Sequence, residues 1–167
     1  MLFQLIIGFK IIKNIASCTK NNYFCDMGRI LAIDYGKKRT GIAVTDTLQL
    51  IANSLETVAT HTLLQYLKDY ISKEPVDTIV VGLPKRLNGE PSESMRYITP
   101  FVAALRKTFP QIPVEMYDER FTSTIAHQAM IDGGMKKSDR RDKARVDSIA
   151  ATIILTDYLQ HRDMRGR

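Results

Sequence analysis

The sequence predicts an α/β protein built on a mixed five-stranded sheet, in which three antiparallel-linked strands are followed by two parallel strands, with helices flanking the sheet. Three observations carry this. Arg29 to Asp34 (RILAID) and Thr40 to Asp46 (TGIAVTD) are short β-rich runs joined by Tyr35-Gly36-Lys37-Lys38-Arg39, a hairpin spacing whose glycine supplies turn freedom. Asp77 to Gly82 (DTIVVG) is a continuous apolar run suited to a strand buried on both faces. Around that run the apolar period switches to 3.6 residues, so later strands alternate with amphipathic helices.

Taken in order, Ser54 to Thr60 reads as the third strand, and Leu63, Leu64, Leu67, Tyr70 and Ile71 then fall on one helical face. After strand 77–82, a second helix places Met95, Ile98, Phe101, Val102 and Leu105 together, with Pro100 expected to kink or split it. Ile112 to Tyr117 is the fifth strand. Thr122 can cap a short helix through Met130, which Gly133-Gly134 would stop. A last helix spans about Ala144 to Gln160. Right-handed crossovers make the first, fourth and fifth strands parallel, so their carboxyl ends share one edge, where open α/β sheets bind ligands.

At 167 residues and 19.0 kDa the chain suits one domain, and 44% hydrophobic with 25% charged residues excludes a disordered or fibrous protein. The net charge of +6 favours anionic partners, nucleic acid first. Cys18 and Cys25, with six residues between them, fit no common zinc or redox spacing and exclude a disulfide framework. Residues 1–26 read as an N-terminal extension or a mis-assigned start, because the regular strand pattern opens at Met27. Their apolar stretch is broken by Lys10 and Lys13, short of the ~20 apolar residues of a membrane span, and no membrane association is expected. The working domain is residues 27–167.

Three loops converge on the shared edge: Asp34 to Arg39, Gly82 to Arg86 including Lys85, and Asp118 to Thr122. Asp34 ends an apolar central strand, so its charge calls for a metal or a nearby cation, with Arg39 able to pair with it across the turn. Asp147 lies on the inward stripe of the last helix with Ala150, Ala151, Ile154 and Tyr158. Asp118 and Glu119 point oppositely on an extended segment, and spacing alone does not choose between them. Three carboxylates suit hard cations such as Mg²⁺, which support phosphodiester hydrolysis. Residues 136–145 hold six basic and two acidic residues, among them Lys136, Lys137, Arg140 and Arg141, placed to cover a phosphate backbone as a mobile flap. His61, His127 and His161 show no metal spacing, and Ser123 and Ser148 no serine-hydrolase context.

Ile33-Asp34-Tyr35-Gly36-Lys37-Lys38-Arg39-Thr40-Gly41-Ile42-Ala43, Val81-Gly82-Leu83-Pro84, Asp118-Glu119-Arg120 with Thr122, and Val146-Asp147-Ser148-Ile149-Ala150-Ala151 occur in that order. Over residues 27–161 the chain thereby resembles the YqgF (RuvX) family of pre-16S ribosomal RNA nucleases, relatives of Holliday-junction resolvases. The resemblance implies a ribonuclease H-like fold and cytoplasmic hydrolysis at the 5′ end of the small-subunit rRNA precursor, in ribosome biogenesis. It implies catalytic, metal-binding acids at Asp34, Glu119 and Asp147 holding Mg²⁺ or Mn²⁺. It also implies phosphate contacts from Arg39 and Arg120, with added positive potential from Lys37 and Lys38. The chain departs from the better-known resolvases at Val80-Val81-Gly82, which bears no acid, and at Lys143-Ala144, where a fourth ligand is missing unless Asp118 or Asp46 serves.

Pre-16S rRNA or a pre-ribosomal particle is the expected partner, with the protein a monomer or weak dimer. Two other readings keep the fold: a nuclease for four-way DNA junctions, which needs a dimer to cut symmetric strands, and a non-catalytic RNA-binding module. The aspartate-glycine hairpin also occurs in actin-like and sugar-kinase folds, but those need two such domains.

Overall fold

A computed structural model describes residues 27–84, 92–118, 125, 128, 130–137 and 142–164. Strands β1 (Arg29–Tyr35), β2 (Arg39–Thr45), β3 (Ala52–Ala59), β4 (Val76–Leu83) and β5 (Val114–Asp118) form one sheet in the order β3-β2-β1-β4-β5. β1 pairs antiparallel with β2 and β2 with β3, whereas β1–β4 and β4–β5 are parallel. The mixed sheet is therefore the one the hairpin and crossover patterns imply. Helices α1 (Leu63–Ile71), α2 (Met95–Thr108) and α3 (Lys143–Met164) flank it, with a 3-10 turn at Thr60–Thr62 leading into α1.

Period-two alternation divides the core into two layers. Leu31, Ile33, Ile42, Val44, Ile79 and Val81 pack with Leu63 and Leu67 of α1 and with Ile98, Val102 and Leu105 of α2. On the opposite face, Ile30, Ala32, Ala43 and Val80 pack with Ala151, Ile154, Leu155 and Leu159 of α3. β1 and β4 are covered on both sides, which explains their nearly continuous apolar sequences. Fully burying a Leu or Ile contributes roughly 1.5–3 kcal/mol, so these layers are the main source of stability.

Small residues decide how closely α3 approaches. Ala32 and Ala43 on the sheet meet Ala151 on the helix, and Gly41 stands where the second turn of α3 crosses β2. A Cβ at Gly41 would lie 2.0 Å from the Asp147 carbonyl oxygen, closer than any non-bonded contact allows. Ser54 and Ser148 are hydroxyl partners, and Thr57 Oγ1 donates to the Ala144 carbonyl at 2.8 Å, so β3 also holds this end of the helix. At the other end, Arg162 donates to Gln49 Oε1 at 2.7 Å and to the Gln49 carbonyl at 3.1 Å. That anchor accounts for α3 running to Met164 rather than stopping near Gln160.

Two further expectations meet the structure differently. α2 runs unbroken from Met95 to Thr108 through Pro100, so the proline does not split it. Pro100 is exposed and lies in the second turn, where its missing N–H removes one ladder bond, to the Arg96 carbonyl. The double-glycine stop is as expected: Gly134 has φ +69°, its N–H donates to Ile131, and Met135 N–H donates to Met130, the bond pattern of a Schellman cap. Residues 1–26 and most of the segment from Thr122 to Met130 lie outside the described residues.

Gly41→Ala is expected to lower unfolding free energy by about 1–3 kcal/mol, the usual cost of overpacking, because either β2 or the start of α3 must move. Urea denaturation checks this; an unchanged midpoint would mean that the contact at Asp147 yields without cost.

Candidate active site

Asp34 and Asp147 are brought together by the route just described. Asp34 lies one residue before the end of β1, paired across the ladder with Gly41, and its alternation follows Ile30 and Ala32 toward α3. Asp147 stands in the second turn of α3 over that same ladder position. Among the described residues, nothing donates a hydrogen bond to the Asp34 carboxylate. Burial, with the Asp147 charge as a second cause, pushes its pKa from the ordinary 3.8 up to about 7. A largely buried carboxylate facing another carboxylate is the donor set expected of an oxygen-ligated divalent cation.

Arg39 does not pair with Asp34 across the turn. Its Nε donates to Asp147 Oδ2 at 3.2 Å, because Arg39, Gly41 and Ala43 alternate onto the α3 face and the helix presents Asp147 there. With side-chain exposures of 41% and 28%, the pair contributes on the order of 0–1 kcal/mol. Arg39 can therefore leave Asp147 at little cost.

The other acids sort by position. Asp118 ends β5 opposite Leu83, at the same carboxyl edge, but it follows Val114 onto the face toward α1 and α2 rather than Asp34's face. Asp46 is excluded as a fourth ligand. It lies beyond the far end of β2, five residues past Gly41 and thus roughly 17 Å away along the strand. There it caps a turn by accepting from the amides of Leu48, Leu50 and Ile51, which holds its pKa below the ordinary value. Glu119 lies outside the described residues, and among those described no cluster of three or more His, Cys, Asp or Glu side chains is placed to hold a metal.

Lys37 and Lys38 are exposed in the β1–β2 turn at this edge. The turn is fixed by Thr60, which sequence reasoning missed. Its Oγ1 donates to the Gly36 carbonyl at 2.7 Å and is 3.0 Å from Thr40 Oγ1, while its N–H donates to the Lys38 carbonyl at 3.1 Å. The one sequence signal was a run of threonines, Thr60 and Thr62, at a strand-to-helix junction. Lys136 and Lys137 are exposed just after the double-glycine stop, and Asp142 Oδ1 accepts from the Ala144 amide as an N-terminal cap for α3. Lys85, Arg86, Arg120, Arg140 and Arg141 lie outside the described residues, so the expected flap is described only at its ends.

The Asp34 shift fixes a sign. The folded chain holds a proton on Asp34 up to about pH 7 that the unfolded chain loses near 3.8, so in chelator stability falls as pH rises between these values. Asp34→Asn removes that penalty. The variant is expected to match wild type near pH 3.5 and exceed it at pH 8, by up to a few kcal/mol at roughly 1.4 kcal/mol per pKa unit. Denaturant midpoints at both pH values check this; a difference independent of pH would contradict it.

Comparison with known proteins identifies the family. The profile of the RuvX family, described as Holliday junction resolvase, matches residues 28–161. A protein of Phocaeicola vulgatus named "Putative pre-16S rRNA nuclease" is 64% identical over 136 residues, covering 81% of this chain and 98% of its own. Proteins of the same name from Bacteroides thetaiotaomicron and Porphyromonas gingivalis are 60% and 57% identical over 136 and 137 residues, each covering 99% of its own length and 81% and 82% of this chain. In fold, T. thermophilus RuvC, solved in complex with a Holliday junction substrate, superposes with a TM-score of 0.50 at 17% identity, over 81% of this chain and 96% of RuvC. With the ribonuclease H-like sheet order, these matches make the chain a member of the RuvX family of nucleases.

Proposed function

We propose that the protein is a divalent-metal-dependent nuclease that hydrolyses phosphodiester bonds in maturing the 5′ end of pre-16S rRNA, in the cytoplasm where ribosomes are assembled. The observation that carries this reading is Asp34: a largely buried carboxylate, without a hydrogen-bond donor among the described residues, set against a second carboxylate. Such a pair is costly unless a cation compensates it. The relatives' names supply the substrate.

In this reading Asp34 and Asp147 hold Mg²⁺ or Mn²⁺, and Glu119 completes the set from the end of β5. Asp118 faces the opposite layer, which favours its neighbour for that place. The bound cation supplies Lewis acidity, lowering the pKa of water and neutralising charge on the leaving oxygen. Arg39 exchanges its weak pairing with Asp147 for a substrate phosphate. Lys37 and Lys38, held by Thr60 at the rim, orient the backbone, and Lys85, Arg86 and Arg120 extend the same positive edge. Lys136, Lys137, Arg140 and Arg141 close over the strand from the segment before α3.

Among the described residues no helix is long and apolar enough to cross a membrane. The family description favours one second reading, a nuclease for four-way DNA junctions.

The test is cleavage of a 5′-extended small-subunit rRNA fragment and of a four-way DNA junction by the full chain in Mg²⁺ or Mn²⁺. Wild type is expected to cut the RNA, and Asp34→Asn and Asp147→Asn to lose at least about 100-fold in rate, a loss of ~2.7 kcal/mol or more in transition-state stabilisation. Binding by the two variants should stay near wild type. Preference for the junction would replace the substrate assignment; wild-type rates in either variant would overturn the site.

A further inference from the structure

The carboxyl edge carries a second polar cluster, on the face of the sheet opposite Asp34. Alternation along β1 turns Tyr35 toward α2, where it stacks on Phe101 with ring centroids 4.6 Å apart. Beyond that stack, Tyr35, Gly36 and Lys37 from the β1–β2 turn and Glu93, Arg96 and Tyr97 from the start of α2 line an open cavity of about 280 Å³. Two cations lie over the Tyr97 ring: Arg96 Cζ at 4.8 Å from its centroid and Lys37 Nζ at 5.7 Å. Among the described residues neither cation has a carboxylate within ion-pair distance. Neither layer of the core uses Tyr97, which is half-buried at the cavity wall.

We propose that this cavity is a subsite for one unpaired nucleotide of the substrate strand, its base stacked on Tyr97 and Arg96 and its phosphate on Lys37. The proposal rests on the nuclease reading and deepens it. The cavity opens at Tyr35, the residue after Asp34, on the other face of the same sheet edge, so a strand crossing the β1–β2 turn from the carboxylate pair reaches it within a few nucleotides. Its chemistry matches a nucleotide in three respects. An aromatic face serves any base, mobile cations serve a phosphate, and the Glu93 carboxylate at the rim accepts from an exocyclic amine. A paired base cannot reach a ring held on the protein surface, so the subsite selects single-stranded segments. The volume admits about one nucleoside and excludes a duplex.

The experiment is fluorescence anisotropy in chelator with the full chain, using a labelled 12-nucleotide single-stranded RNA and a fully paired duplex of the same sequence. Tyr97→Ala is expected to weaken single-strand binding at least about five-fold and leave duplex binding unchanged, while Tyr97→Phe stays close to wild type. Walking an abasic residue through the RNA gives a readout that needs no variant to fold. At one position it should weaken wild type by a similar factor and leave Tyr97→Ala unaffected.

Wild-type affinity in Tyr97→Ala, or equal losses on single strand and duplex, would overturn the subsite. So would displacement of the RNA by free nucleoside monophosphate at the RNA's own concentration, which would mark a mononucleotide site. The two readings fail separately. A Tyr97-dependent single-strand preference without cleavage would overturn the nuclease reading alone, and cleavage lost in Asp147→Asn with no dependence of binding on Tyr97 would overturn the subsite alone.

Discussion

The missing side chain at Gly41 is the steric allowance on which the edge of the sheet depends. Because β2 offers only a backbone there, the carbonyl of Asp147 can sit where a Cβ would otherwise stand, and α3 settles onto a surface of alanines. That contact fixes the height and register of the helix. It also fixes which residue of α3 faces the end of β1. Asp147 is delivered to Asp34 by packing, against the electrostatic preference of both groups, and the apolar layer beneath them supplies the free energy that holds two carboxylates together.

This arrangement separates support from chemistry. The Thr40–Thr60–Gly36 hydroxyl relay and the backbone bond to Lys38 hold the β1–β2 turn without using a charged group, which leaves Lys37 and Lys38 exposed to an anionic partner. Ser54 and Thr57 secure the start of α3 in the same way, and the Asp142 carboxylate caps its first turn. Among the described residues the ion pair at the site is Arg39 with Asp147, and it is exposed enough to be exchanged. Apart from the Asp142 cap, the contacts that hold this edge are thus neutral and short-ranged.

The sheet was legible in the sequence because its signals are local: a glycine-bearing hairpin, an apolar run of strand length, and a change of period. Strand ends differ by at most two residues from those patterns. Asp34 and Asp147 were legible because each is an acid in an apolar stripe. The alternative of Arg39 pairing with Asp34 across the turn is not realised, since the position of Arg39 near α3 depends on a long-range crossing that no turn pattern encodes. Pro100 does not split its helix, and the cost of its missing ladder bond is carried at an exposed position by a helix whose other face is packed on the core. Thr60 gave only the weak signal of a threonine pair at a strand-to-helix junction, its bonds joining segments twenty or more residues apart. That Asp118 turns toward the α1 and α2 face, away from Asp34, follows from the register of β5 against β4, which no local pattern encodes.

The central claim is that the Asp34–Asp147 pair is made to be completed by a divalent cation. Its most direct measurement is a carbon-13 NMR titration of the Asp34 side-chain carboxyl in the full chain, first in chelator and then in Mg²⁺. A pKa near 7 in chelator that falls well below the ordinary 3.8 on adding Mg²⁺ is the expected result. A pKa near 3.8 in chelator, or one that Mg²⁺ leaves unmoved, would contradict it.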